Sequence, residues 1–176
     1  MFAAHLAAGL AIKAIQPTAP AWSVLTAAFL PDLFWIGFAG AGLEPASDAA
    51  FFDGLSHSAA SILIEAILFS ACFARLGRPV MLAVGAAALS HLPLDMLIHP
   101  RPLELWPHSS LVLGDPDWQW GQVALLFGKT RYWWIQLAVT LPLLTLYCVR
   151  SVRRAQAPAN LVAASIAVVL GLHLTF

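Results

Sequence analysis

His5, Asp32, Glu65, His91, Asp95 and His99 stand inside otherwise apolar runs, with His57 at the lip of one run and His173 near the end of another. An ionisable group at the centre of an inserted apolar helix costs about 2.5–3.5 kcal/mol, so each is a candidate for function. His91, Asp95 and His99 fall at i, i+4 and i+8, and residues four apart share a helical face. A His-x3-Asp pair on one face presents an imidazole and a carboxylate to one ion, a donor set that suits zinc and other divalent metals. The competing use of the same side chains is mutual pairing, as buried hydrogen bonds or ion pairs that glue helices together. Pro93 lies between His91 and Asp95, and Pro31 directly precedes Asp32. Each proline removes a backbone N–H and predicts a kinked helix, tolerated where it lines protein or water. Ser90 would point about 100° away from His91 on a helix and is not read as a nucleophile.

The elements that must position these groups follow from composition. The chain has 176 residues, 60% hydrophobic and 10% charged, with nine Lys+Arg balancing nine Asp+Glu and a mean hydropathy of +0.80. A soluble domain is about 25% charged. The neutral balance excludes a nucleic-acid partner bound through a basic surface, and the low charge excludes a disordered chain. The expected fold is all-α: one integral membrane domain over 1–176, a polytopic helical bundle of about six transmembrane helices. Ala21–Gly42, Ser58–Arg75, Val80–Pro100, Tyr132–Val149 and Leu161–Phe176 approach the roughly 20 apolar residues that cross a bilayer. Phe2–Ile15 is shorter, a tilted or partial span, and no basic residue precedes it as in a cleavable signal. Cys72 and Cys148 lie in apolar spans and read as buried packing residues rather than a disulfide.

Pro, Gly or charge marks most breaks, including Gln16–Pro20, the polar loop from Gly42 to Ser56, the Gly77-Arg78-Pro79 turn and the Arg150–Pro158 stretch. Residues 100–131 form a longer connection with Trp106, Trp118 and Trp120. Indoles favour the headgroup region, which predicts an outer interfacial loop. Within it, Leu111–Trp120 reads as a hairpin turning at Gly114–Asp117, or Asp117–Gly128 as an interfacial helix. Alternating six spans puts Lys13, Arg75, Arg78, Arg150, Arg153 and Arg154 on one side, and Arg101, Lys129 and Arg131 on the other. The positive-inside rule makes the first side cytoplasmic. The His and Asp candidates then gather toward the outer face, the periplasm of a bacterial cell.

Four stretches carry a resemblance: Ala4-His5-Leu6, Leu30-Pro31-Asp32, Leu55-Ser56-His57-Ser58 and Ser90-His91-Leu92-Pro93-Leu94-Asp95. With Leu105-Trp106-Pro107-His108-Ser109, they resemble the bacterial inner-membrane metal-dependent hydrolases described as LexA-regulated or LexA-binding. The resemblance covers roughly residues 1–110. The order His, Asp, His, His-x3-Asp is more distantly similar to zinc-dependent phospholipase C and the P1-type nucleases. The likeness implies that Asp32, His57, His91 and Asp95 hold one metal and carry catalysis. It implies that His5 helps to hold a second ion, with Asp95 bridging and His99 serving a further one. That makes one to three divalent ions, of which zinc is the expected kind. Two departures stand out: Leu33 and Phe34 follow Asp32 where the family often has further acids, and position 108 is His where Phe is expected.

The expected function is metal-assisted hydrolysis of a phosphoester in a membrane lipid or other amphiphile, at the outer face of the inner membrane. A divalent metal lowers the pKa of bound water toward about 7, and a metal pair stabilises the attacking and leaving oxygens of a phosphoester. Arg101 is read either as a phosphate contact or as an interfacial anchor, and His108 as a further substrate-side group. Asp53, Ser56 and Ser58 either orient ligands or cap a helix. Glu65 reads as an interhelical hydrogen bond. Two other classes remain open, a non-catalytic membrane protein with a structural metal site and a small ion- or proton-coupled transporter. Oligomeric state is not legible.

Overall fold

The computed structural model describes residues 2–44, 54–98, 103–113, 129–154, 163 and 165–171. They are mostly helical, with almost no sheet. In chain order the elements are α1 (Phe2–Ile15), α2 (Ala21–Ala28), α3 (Leu30–Gly40), α4 (Ala59–Ala71), a 3-10 turn (Ala74–Leu76), α5 (Arg78–Leu89), α6 (His91–Ile98), β1 (Leu103–Glu104), β2 (Val112–Leu113) and α7 (Lys129–Arg153). Residues 165–171 are helical as well.

Small residues set the packing. Ala3, Ala7 and Ala14 of α1 are buried against Leu144 and Tyr147 of α7, and Ala4 and Ala8 pack with Leu94 of α6. Alanine lets helix backbones approach closely, which is how apolar helices associate without a hydrophobic drive between them. A second cluster joins Val24 and Ala27 of α2, Ala66 of α4, and Val84 and Ala87 of α5. The outward faces are apolar too: Leu63, Ile64, Ile67 and Leu68 of α4 are all exposed. Lys13 closes the end of α1, its ammonium donating to the Pro17 and Ala19 carbonyls at 2.6 and 2.7 Å. Gly77, at φ +97°, turns the chain into α5 in a conformation that favours glycine.

Two helical stretches, Arg78–Leu97 and Trp134–Arg153, are long and apolar enough to cross a membrane. A third joins α2 and α3, which bend by 60° at their junction. Pro31 cannot supply an N–H to the Ala27 carbonyl; Phe29 N–H instead donates to the Thr26 carbonyl at 3.1 Å and closes α2. The expected break before Asp32 is therefore present. Six spans are not borne out by helix length among the described residues. The stretch read as Ser58–Arg75 holds only the 13-residue α4, about 20 Å at 1.5 Å per residue, and its remainder becomes the 3-10 turn. Much of Leu161–Phe176 lies outside the described residues. The hairpin also forms earlier than expected. Leu103 pairs with Leu113 and Glu104 with Val112, and the turn lies near Trp106–Ser109, where Ser109 N–H donates to the Trp106 carbonyl at 3.1 Å. The Gly114–Asp117 turn and the 117–128 helix considered above fall outside the described residues. Both cysteines are free, but Cys72 is exposed rather than buried.

Gly9 marks where α1 meets α2. A Cβ there would come to 3.1 Å from Leu25 Cδ2 and 3.3 Å from the Val24 carbonyl. Gly9→Val is expected to lower unfolding stability by about 1–3 kcal/mol through overpacking. Gly37→Ala, whose Cβ meets nothing within 4 Å, should not lower it. Denaturant titration followed by helical circular dichroism compares the two.

Candidate metal centre

The site residues stand in or just before the opening turns of four helices. His5 lies in the opening turns of α1. Asp32 occupies the first turn of α3, where the helix dipole favours a carboxylate. His57 stands just before Ser58, which caps α4 by accepting from Ser61 N–H at 3.2 Å. His91 begins α6 and Asp95 follows one turn later, on the same face.

These five side chains converge. His5 Nε2 is 3.3 Å from Asp95 Oδ1, His91 Nε2 is 3.1 Å from Asp95 Oδ2, and His57 Nε2 is 3.5 Å from Asp32 Oδ1. The His5 and His91 rings stack in parallel with centroids 3.9 Å apart, and the His57 ring meets His91 edge-on at 5.3 Å. All three histidines are 0% exposed, Asp95 is 1% and Asp32 is 6% exposed. The donor atoms of His5, Asp32 and His91 lie within 4.8 Å of one another, as do those of His57, His91 and Asp95. His91 belongs to both groups, so the five residues form one continuous cluster.

The far sides of two rings are committed. His91 Nδ1 lies 3.0 Å from the Ala28 carbonyl at the end of α2. A carbonyl only accepts, so Nδ1 carries the proton. His57 Nδ1 is 2.8 Å from Ser56 Oγ. Ser56 Oγ in turn lies 2.9 Å from Glu44 Oε2, and Ser56 N–H donates to Glu44 Oε1 at 2.7 Å. With the single ring proton of a neutral imidazole on Nδ1, Nε2 of each ring is an acceptor facing a carboxylate, which also accepts. Something positive must lie between them. A second proton per ring would give charge-assisted N–H···O bonds of about 2.7–2.9 Å. The observed separations of 3.1 to 3.5 Å are longer. They fall around the roughly 3.3–3.4 Å that separates two ligands of one tetrahedrally held ion at about 2.0–2.1 Å. Asp32 and Asp95 together carry two negative charges, which one divalent cation balances. The buried His and Asp groups are thus close enough, and of the right kind, to hold a metal ion.

Five of the six residues expected to bind metal are brought together: His5, Asp32, His57, His91 and Asp95. His99 and Arg101 lie outside the described residues, as do Asp53 and His173. His108 does not join the cluster. It is exposed on the hairpin turn, at φ +59°, so the expected substrate-side role finds no contact with these donors. Of the two serines beside His57, Ser58 is a helix cap and Ser56 holds the ring. Glu65 is buried on the inner face of α4. Its Oε2 has no hydrogen-bond partner among the described residues, so the interhelical bond expected of it is not formed through that atom. Glu44 was not singled out from sequence. It is one acid in a polar loop with no periodicity, and only the fold brings it to Ser56. Gly54 carried a faint signal, since a glycine beside the His57 loop permits close approach. A Cβ there would run into the Glu44 carboxylate.

Comparisons of the chain with known protein families, curated proteins and solved structures returned no match.

Gly54→Ala is expected to push Glu44 off Ser56, leaving the Ser56 N–H without its acceptor. An unsatisfied buried donor costs about 1–3 kcal/mol. Thermal unfolding of the variant beside the unaltered protein measures it, and equal stability would show that Glu44 is not held at Gly54.

Proposed function

We propose that the chain is a membrane-embedded, zinc-dependent hydrolase acting on a phosphoester of a lipid or other amphiphile at the outer face of a bacterial inner membrane. The observation that carries this reading is the set of three imidazole Nε2 atoms aimed at two buried carboxylates, at separations suited to a shared cation. The resemblance of the four His- and Asp-bearing stretches to LexA-regulated inner-membrane hydrolases agrees with it. On this reading α1, the bent α2–α3 pair, α4, α5–α6, α7 and the C-terminal segment make up six membrane crossings, with α1 and α4 as short or partial ones.

A divalent ion at such a site acts as a Lewis acid on a phosphoryl oxygen and lowers the pKa of water. The chain's own residues would supply the rest. His57 and His91 present Nε2, with their tautomers set from behind. Asp95 turns its two oxygens to two different histidines, an arrangement that suits a bridge between two ions. Asp32 Oδ2 has no hydrogen-bond partner among the described residues and is positioned to take a proton from attacking water. Asp32 is also the most exposed of the five. Leu33, Phe34 and Ile36, which follow it on α3, are exposed. An apolar flank beside the least buried donor suits a substrate whose acyl part stays in lipid while its phosphate reaches the ions. The complete burial of the three histidines favours a second reading, a structural metal site that pins separate segments together.

The test is to purify the full chain in detergent, measure bound zinc, and assay phosphatidylglycerol micelles and bis-p-nitrophenyl phosphate. His91→Ala and Asp95→Ala are expected to bring zinc to background. Hydrolysis should fall by at least the roughly 100-fold that loss of an outer partner alone can cost. His108→Ala should leave both unchanged. Zinc content equal to wild type in both ligand variants would end the metal reading. Bound zinc with no turnover of either substrate would favour the structural site.

A further inference from the structure

We propose that Glu44 and Ser56 form a proton-ordering relay that fixes the ring proton of His57 on Nδ1 and thereby sets the affinity of the buried cluster for a divalent cation. Its second half rests on the metal reading above; its first half does not. Glu44 accepts on both carboxylate oxygens, from Ser56 N–H at 2.7 Å on Oε1 and from the Ser56 hydroxyl at 2.9 Å on Oε2. An ionised carboxylate has nothing to donate. The one hydroxyl proton of Ser56 therefore goes to Glu44, and Oγ offers only a lone pair to His57 Nδ1, 2.8 Å away. The ring must donate there. Its opposite nitrogen, Nε2, then faces Asp32 as a base ready for a cation. Glu44 is 5% exposed and Ser56 is 0% exposed, so water does not offer an alternative partner to either. Such outer hydrogen bonds fix the tautomer and orientation of metal-binding histidines and raise their basicity. Glu44 and Ser56 are positioning residues: neither belongs to the cluster of candidate donors, and both act through His57.

The geometry also says what reversing the relay requires. In Glu44→Gln the side-chain oxygen must stay opposite Ser56 N–H, because that donor is buried. The amide nitrogen then takes the place of Oε2 and donates to Ser56 Oγ. The retained amide oxygen is the more distant acceptor for the serine hydroxyl, at the 3.2 Å that separates Oγ from Oε1, so the serine proton is driven toward the nearer His57 Nδ1, and the ring proton moves to Nε2, where it obstructs a cation. The substitution is nearly isosteric, so the fold is kept while the direction of the relay is inverted.

Nitrogen-15 NMR of histidine-labelled, metal-free full chain in detergent reads the tautomer directly. His57→Gln identifies the His57 resonances. The expected result is a proton on Nδ1 of His57 in the unaltered protein and on Nε2 in Glu44→Gln, with unchanged helical circular dichroism. Titration with Zn2+ alone should then show Kd weakened about 10–100-fold in Glu44→Gln and in Ser56→Ala, with Ser56→Thr, which keeps the hydroxyl, close to wild type. A proton on Nε2 of His57 in the unaltered protein overturns the relay. An Nδ1 proton with equal Kd in all variants overturns its link to affinity while leaving the metal centre standing. Absence of zinc binding by the unaltered protein overturns that link together with the metal reading, and the tautomer result still decides the relay.

Discussion

His91 turns Nδ1 to the Ala28 carbonyl and His57 turns Nδ1 to Ser56, and the Nε2 atoms of both rings confront carboxylates at 3.1 and 3.5 Å. That confrontation of acceptors is the constraint on which the rest of the structure turns. In a buried place that arrangement calls for a positive charge between ring and carboxylate. The donors are close enough, and of the right kind, for a metal ion to supply it. The elements that present those donors then look purposeful. The bend before Pro31 ends α2 so that the Ala28 carbonyl reaches His91, and the same bend starts α3 so that Asp32 enters on a helix N-terminus.

Packing around the cluster serves the same end. α1 is almost without bulk on its buried faces, so α2 and α7 close on it tightly and His5 is pressed flat against His91. Leu103 of the hairpin is buried with Ala59 and Ile62 at the start of α4, with Leu92 packed alongside. The Ala60 N–H donates to the Leu105 carbonyl at 3.1 Å. The hairpin thereby covers the segment that presents His57 and shields it with aliphatic side chains.

Much of the candidate site was legible in the sequence, because an apolar background makes each polar residue conspicuous. His91 and Asp95 announce themselves by helical spacing, and Asp32 by the proline before it. His5 and His57 stand out as polar groups near the ends of apolar runs. The helical class was legible for the same reason. Three things were less so. Glu44 belongs to a loop where acids are ordinary, and no local pattern links it to Ser56 twelve positions on. The short hairpin that pairs Leu103 with Leu113 was passed over because Gly114–Asp117 is the stronger local turn signal, whereas these strands are anchored by burial of Leu103. Span number was legible only in part, because hydropathy runs straight through helix ends that backbone hydrogen bonding imposes, as where α4 stops at Ala71 and the chain tightens into a 3-10 turn.

The donors are dispersed between residues 5 and 95 of the polypeptide, and the acid shared by two of the rings comes last. As the chain emerges from the ribosome, His5, Asp32 and His57 are all synthesised before Asp95 exists to answer them. Until then His5 lacks the carboxylate it faces, and α1 lacks the α6 surface against which Ala4 and Ala8 close. Completion of α6 is therefore the step at which His5 gains its carboxylate and all five side chains can first stand together.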